Sequence, residues 1–252
     1  MKDIIAKVKE NKEIAQNVYS LTVTLSEDVG EIRGGQFLNI STGDSSRLLR
    51  RPLGVVKAEG KDVTVCYQIK GEGTRALSKM GAGETVYVLL PLGNGFNLEN
   101  AENIAVIGGG VGVFPLLATL KQYCKEKKFY TFFGFRNKNA VCFESEAKSY
   151  SEKFTLVTDD GSAGVKGNAV SAYFSSGVKP DLIISCGPPV MLKALKNALS
   201  ERGDKTPCLV SLEERMGCGI GACLVCVCKK TDNGNVRVCK DGPVFNINDV
   251  EI

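Results

Sequence analysis

The chain changes its hydrophobic rhythm near its middle. From Lys61 to Ile69 apolar and polar positions alternate, with Val63, Val65, Tyr67 and Ile69 on one face, which predicts a half-buried strand. Ile14 to Leu25, Gln36 to Ile40 and Thr85 to Leu90 share the Val- and Thr-rich composition of strands. Glycines punctuate these runs at 30, 34, 35, 43, 54, 60, 71, 73, 81 and 83. Short strands with glycine turns predict a small antiparallel barrel over residues 1–99. One short helix, Thr74 to Met80, is expected between its last strands.

From residue 100 the alternation gives way to short apolar runs separated by helical patterns. Asn103 to Ile107, Phe129 to Phe135, Phe154 to Thr158, Asp181 to Cys186 and Pro207 to Leu212 read as strands. Val113 to Lys127 and Pro189 to Arg202 read as helices, the second with Leu192, Leu195 and Leu199 on one face. Strands alternating with helices predict a parallel α/β domain over 100–207. Ligands in such sheets sit outside the carboxyl ends of the strands. Four glycine-bearing loops fall there: Gly108-Gly109-Gly110-Val111-Gly112, Gly134-Phe135-Arg136, Thr158-Asp159-Asp160-Gly161 and Cys186-Gly187-Pro188-Pro189. The first joins a strand to a helix N-terminus, the arrangement that holds a dinucleotide phosphate. Pro115 falls in that helix's first turn, where its missing N–H costs nothing.

The last segment, 208–252, is dominated by cysteine. Cys218, Cys223, Cys226 and Cys239 follow the spacing C-x4-C-x2-C, twelve residues, C. That is the plant-type ligand spacing of a [2Fe–2S] cluster. Gly217, Gly219 and Gly221 would let the main chain approach the sulfides closely, where N–H groups can bond cluster sulfurs. The blander readings are structural zinc and a disulfide pair. Zinc knuckles use two C-x2-C pairs, and one is present here. Cys228 shares the strand face of Cys226 and reads as a neighbour rather than a ligand.

Composition narrows the chemistry. The net charge of +4 comes without a basic cluster interleaved with aromatics, so nucleic acid is not suggested. There is no apolar run of about 20 residues for a membrane span, and Met1 to Lys7 carries no signal-peptide pattern. Ten cysteines in such a chain predict a reducing, cytoplasmic setting. Histidine is absent from all 252 residues, which removes Ser-His-Asp and Cys-His catalysis, haem-His and Rieske sites together. The chemistry must then be carried by cofactors.

Two barrel motifs suggest the first of these. Arg51-Pro52-Leu53-Gly54 follows a basic run from Arg47, and Gly71-Glu72-Gly73-Thr74 opens the short helix. An arginine on an extended strand and N–H groups at a glycine-rich helix start suit a pyrophosphate. Together they resemble the flavin-binding barrel of the ferredoxin–NADP reductase superfamily, in which an R-x-x-[ST] strand grips the flavin and G-x-x-[ST] caps its pyrophosphate. Gly54 departs from that pattern by replacing the hydroxyl residue. The resemblance assigns Arg51, Pro52, Leu53, Gly54, Tyr67, Gln68, Ile69, Gly73 and Thr74 to FAD.

The Gly108–Pro115 and Cys186–Met191 segments resemble the NAD(P) domain of the same superfamily. This implies nucleotide binding by Gly108, Gly109, Gly110, Gly112, Asp159, Gly187 and Pro188. Cys186 would lie beside the nicotinamide, positioning it; the alternative is a buried strand-end cysteine. Arg136 is the only basic candidate for a 2′-phosphate in these loops, and Asp159 and Asp160 disfavour one, so NAD is expected. The order of modules, the cysteine spacing and the Cys239-Lys240-Asp241-Gly242-Pro243-Val244-Phe245 ending resemble the electron-transfer subunits of class 1B dihydroorotate dehydrogenases. That resemblance implies FAD, a [2Fe–2S] cluster and NAD, an FMN-containing catalytic partner in a heterotetramer of two of each chain, and a place in pyrimidine biosynthesis. The competing resemblance is to the flavin subunits of ferredoxin:NADP reductases and sulfhydrogenases, some of which replace one cluster cysteine by aspartate.

Overall fold

In the computed structural model, which describes residues 1–42 and 46–252, the first strands close on themselves. They are β1 (Lys2–Ala15), β2 (Val18–Leu25), β3 (Phe37–Ile40), β4 (Arg51–Glu59), β5 (Asp62–Gln68) and β6 (Thr85–Leu92), joined as a barrel in the order β1-β2-β5-β4-β3-β6. Every neighbouring pair is antiparallel. Inward side chains such as Leu21, Val23, Val63, Val65 and Val88 are fully buried and fill the interior. The turn glycine expected at 43 lies outside the described residues.

The expected strand from Ile14 to Leu25 is in fact two. Asn17 takes a left-handed φ of 59° and turns β1 into β2, a conformation asparagine tolerates better than most residues. β1 itself was hidden by its solvent face, since the exposed Asp3, Ile5, Lys7 and Lys9 alternate with the buried Ile4, Ala6 and Val8. Helix α1 (Glu72–Ser78) starts two residues earlier than the expected range and lies between β5 and β6.

The second sheet contains β7 (Asn103–Gly109), β8 (Lys128–Phe135), β9 (Lys153–Thr158), β10 (Val165–Lys166), β11 (Leu182–Cys186) and β12 (Cys208–Ser211). Its order is β10-β9-β8-β7-β11-β12, all parallel. Helices α2 (Val113–Tyr123), α3 (Glu144–Ser149), α4 (Ala169–Ser175) and α5 (Pro189–Glu201) cover it. Leu192, Leu195 and Leu199 of α5 are buried together against Ile183 and Val210. That burial makes the i, i+3, i+7 face the source of this helix's stability.

The cysteine-rich segment adds a small hairpin, β13 (Val227–Lys229) with β14 (Asn235–Arg237). It then returns as β15 (Val244–Asn246), which pairs antiparallel with β12 and completes a seven-stranded sheet. The segment is therefore a loop excursion that leaves the sheet at Ser211 and rejoins it at Val244. No helix among the described residues is long and apolar enough to cross a membrane.

Candidate redox centre

A cleft runs between the barrel, the carboxyl edge of the second sheet and the start of the cysteine-rich loop. The barrel lines it with Arg51, Pro52, Leu53 and Gly54 from β4, Tyr67 and Gln68 from β5, and Thr74 from α1. The second sheet contributes Cys186, and the loop contributes Glu213, Glu214 and Met216. Seven of the nine residues expected to hold FAD thus meet in one cleft. Ile69 does not line it; β5 ends at Gln68, so the alternation that put Ile69 on the face of Tyr67 stops one residue short. Gly73 stands just behind the cleft wall, with the Arg51 side chain packed on its Cα where a Cβ would overlap it.

Local chemistry sets these positions. Thr74 Oγ1 accepts N–H bonds from Lys70 at 3.0 Å and Gly71 at 3.2 Å, which shapes the start of α1. Arg51 Nη1 donates to the Leu49 carbonyl. Tyr67 stacks on Tyr19 with centroids 5.8 Å apart and donates its hydroxyl to Asn11 Oδ1 at 3.2 Å. Burial pushes its phenol well above the usual range, so it stays neutral. A cation over a glycine-backed surface, beside an apolar wall, fits a flavin dinucleotide.

The nucleotide edge is built by close approach. A Cβ on Gly112 would overlap the backbone of Cys186 and Gly187. Gly109 and Gly187 both pack on Met191, and a Cβ on Gly109 would also crowd Pro188. The glycine turn and the Cys-Gly-Pro loop are therefore one surface at the start of α2. Gly110, with φ +54°, takes the left-handed turn that this requires. Asp159 follows β9, its N–H bonded to the Phe135 carbonyl at 3.0 Å. It lies on this strand edge but not in the flavin cleft. Asp160 is occupied locally, because the Ser162 hydroxyl and N–H hold its carboxylate below the usual range.

Cys186 ends β11, buried, with its thiol pushed strongly up by burial and then by Glu213, against a hydrogen bond from Ser211. It remains a thiol at neutral pH and is no nucleophile. It can shape and orient what binds beside it.

The four candidate ligand cysteines come together at the far side of the cleft wall. Cys226 and Cys239 are buried with Phe37 and Leu92 of the barrel, and Phe37 also lines the cleft. The N–H of Cys239 points at Cys226 Sγ, 3.4 Å away. The N–H groups of Ile220, Ala222 and Cys223 converge on Cys218 Sγ at 3.3–3.4 Å, and that of Cys218 on Cys223 Sγ at 3.3 Å. Burial opposes ionisation of Cys218, but these N–H groups and the Cys223 thiol bring it down to about 6. Gly219 and Gly221 have φ of +74° and +84°, which lets the loop turn its N–H groups inward.

The sulfurs lie in two pairs, Cys218 with Cys223 and Cys226 with Cys239, which suits a centre of two irons held by four thiolates. Cys228 packs with Val236 and Phe245 at the core of the second sheet and also against the buried group that contains Cys226 and Cys239.

Several residues escaped sequence reasoning. Glu213 and Glu214 follow β12 directly, and their position at a strand's carboxyl end was the available signal. Phe37 and Asn39 read only as interior positions of a strand.

Residues 213–251 match the iron–sulfur cluster binding domain of dihydroorotate dehydrogenase B. The chain is 37% identical, over its full length and 99% of the relative's, to the dihydroorotate dehydrogenase B (NAD(+)) electron transfer subunit of Bacillus pumilus. It is 40% identical to that of Fusobacterium nucleatum, over 97% of each chain. Among solved structures, the NADH-dependent reduced ferredoxin–NADP oxidoreductase superposes with a TM-score of 0.86 at 28% identity, covering 98% of this chain and 89% of that one. The cytochrome b5 reductase domain of Ulva prolifera nitrate reductase shares the fold, with a TM-score of 0.70 at 18% identity over 82% of this chain and 97% of that one. This chain therefore belongs to the family of dihydroorotate dehydrogenase B (NAD(+)) electron transfer subunits.

Proposed function

We propose that this chain is the electron-transfer subunit of a dihydroorotate dehydrogenase. It accepts electrons from an FMN-bearing catalytic partner and delivers them to NAD+ in pyrimidine biosynthesis. The observation that carries the reading is convergence. A flavin-shaped cleft touches the nicotinamide-side Cys186 on one flank, and Phe37 separates it from the buried Cys226 and Cys239 on the other.

FAD, when bound, supplies the exchange between paired and single electrons that joins a hydride carrier to an iron–sulfur centre. The chain's own residues do the rest. Arg51 and the α1 start around Gly73 and Thr74 hold the dinucleotide's phosphates. Leu53, Gly54, Tyr67 and Gln68 wall the ring. Gly108, Gly109, Gly110 and Gly112 present N–H groups to the nicotinamide dinucleotide, with Gly187, Pro188 and Asp159 at its edges and Cys186 orienting the nicotinamide. NAD is favoured because Asp159 and Asp160 follow β9 in the loop that would meet the ribose, where they oppose a 2′-phosphate despite Arg136, Lys138 and Lys166 nearby. Cys218, Cys223, Cys226 and Cys239 hold the cluster.

We divide the chain functionally into 1–99 for flavin, 100–207 for nucleotide and 208–252 for the cluster, while the last segment lends strands to the second sheet. The catalytic partner is expected in a heterotetramer of two of each chain. It would meet the exposed Leu224 and Val225 at the cluster's open side, 61% and 55% exposed, since a cluster must lie near its donor. We place the chain in a reducing cytoplasm, the setting in which ten cysteines bind metal or sit buried as thiols.

The test is dihydroorotate-dependent NAD+ reduction by the chain co-expressed with the catalytic chain of its own organism. Activity only with both chains present is the expected result. A second reading, favoured by the 28% identical ferredoxin–NADP oxidoreductase, takes over if NADH-to-dye turnover is intact but dihydroorotate gives no NADH and ferredoxin is reduced.

A further inference from the structure

Asn39 stands in the middle of β3, opposite Pro52 of β4 and Leu89 of β6. It is 1% exposed, and the other residues of the strand, Phe37, Leu38 and Ile40, are buried and apolar. Its Nδ2 donates to the carbonyl of Cys218 at 3.4 Å. Gly219, held at φ +74°, brings the loop backbone so near that a Cβ there would overlap Nδ2. The orientation of the amide is settled chemically, because its oxygen cannot face a carbonyl. That leaves Oδ1 fully buried and without a hydrogen-bond partner, the one such side-chain atom among the described residues.

This is a poor device for stability. An apolar side chain of similar shape would remove the unsatisfied acceptor but leave the Cys218 carbonyl without this long hydrogen bond, so the two changes largely offset each other. What the amide provides is direction and register, the role in which buried polar groups are best attested. β3 is hydrogen-bonded to β4, which lines the flavin cleft, and Asn39 ties that pair to the carbonyl of a cluster ligand.

We propose that Asn39 is a positioning residue for electron transfer. It pins the ligand loop at Cys218–Gly219 to the barrel and so holds the cluster and the flavin in one fixed geometry. The proposal rests on the cluster and flavin assignments above. The separation and orientation of donor and acceptor govern such a step, so a shifted ligand loop registers in the transfer rate.

The experiment compares wild type with Asn39→Leu, each loaded with FAD and cluster. It reads the electron paramagnetic resonance line shape of the reduced cluster, the rate at which NADH bleaches the cluster absorbance in rapid mixing, and the iron-to-flavin ratio over time. The expected result is an altered line shape and bleaching slowed roughly fivefold or more relative to flavin reduction in the same traces, with a melting temperature within a few degrees of wild type. Wild-type line shape and bleaching in Asn39→Leu overturn the proposal. If the leucine variant loses iron while keeping flavin, the pinning role is upheld directly. Asn39→Ala guards against a misfit of leucine: loss of both iron and flavin in both variants makes Asn39 a general element of the fold and overturns the proposal. A wild-type chain with no cluster signal overturns the cluster assignment and this inference with it.

Discussion

The guanidinium of Arg51 lies against the Cα of Gly73, in the space that any side chain at 73 would need. The cation thus reaches the start of α1 only because residue 73 is glycine. Gly73→Ala should displace it and weaken flavin binding by about tenfold, roughly 1.4 kcal/mol. Flavin content of the purified variant, followed by absorbance during dilution, checks this. Unchanged retention would remove Arg51 and Gly73 from the flavin site.

Gly112→Ala addresses the nucleotide side. Its methyl would enter the backbone of Cys186 and Gly187, and overpacking of this kind costs about 1–3 kcal/mol. The KM for NADH in dye reduction should rise by about tenfold or more with flavin content preserved. A wild-type KM would place the nicotinamide dinucleotide elsewhere.

Cys218→Ser separates the carriers. Dihydroorotate-linked NAD+ reduction should fall to background while NADH-to-dye turnover, which needs the flavin alone, continues. Equal loss of both activities would contradict the order flavin to cluster. The variant's iron content reports directly on ligation.

Leu224 combines exposure with a left-handed φ of 59°, a conformation that leucine adopts rarely. An apolar side chain held strained at the surface, next to the candidate ligand Cys223, is suited to a partner rather than to water. Leu224→Asp should abolish co-purification with the catalytic chain and leave the melting temperature within a few degrees. Intact co-purification would move the interface away from this loop.

Alkaline pH should destabilise the chain through two buried thiols remote from the cluster. Burial pushes Cys66 and Cys142 from 9.0 up to about 12. Between those values the folded chain holds protons that the unfolded chain has released. Their contribution is full below pH 9 and is lost as pH rises toward 12. At pH 10 each thiol accounts for roughly 1.4 kcal/mol. The melting temperature should therefore drop by several degrees between pH 8 and pH 10. Replacing both thiols by alanine should flatten that decline.

Legibility from the sequence followed the chemistry. Cys218, Cys223, Cys226 and Cys239 stand out because ligation of a cluster would impose such a spacing, and the glycine loops because strand-end sites need close backbone approach. β1 was obscured because its polar face carries lysines and glutamates that resemble a solvated loop. The Ile14–Leu25 run hid a turn, since one asparagine at φ 59° suffices to reverse the chain. Asn39 was the least legible. A polar residue in a buried strand announces an unusual partner, but nothing local tells which loop, 179 positions away, supplies it.

Ser211 and Val244 face each other across an antiparallel ladder, so in topological terms they are the two ends of a hairpin and everything between them is its turn. The molecule's incoming wire is thus spliced into the rim of a flavin–nicotinamide core. Such a splice is anchored at both ends whether or not the wire carries iron. A chain stripped of metal keeps its tethers, and reloading it asks only a closed loop to rewind, not a loose tail to find its way home.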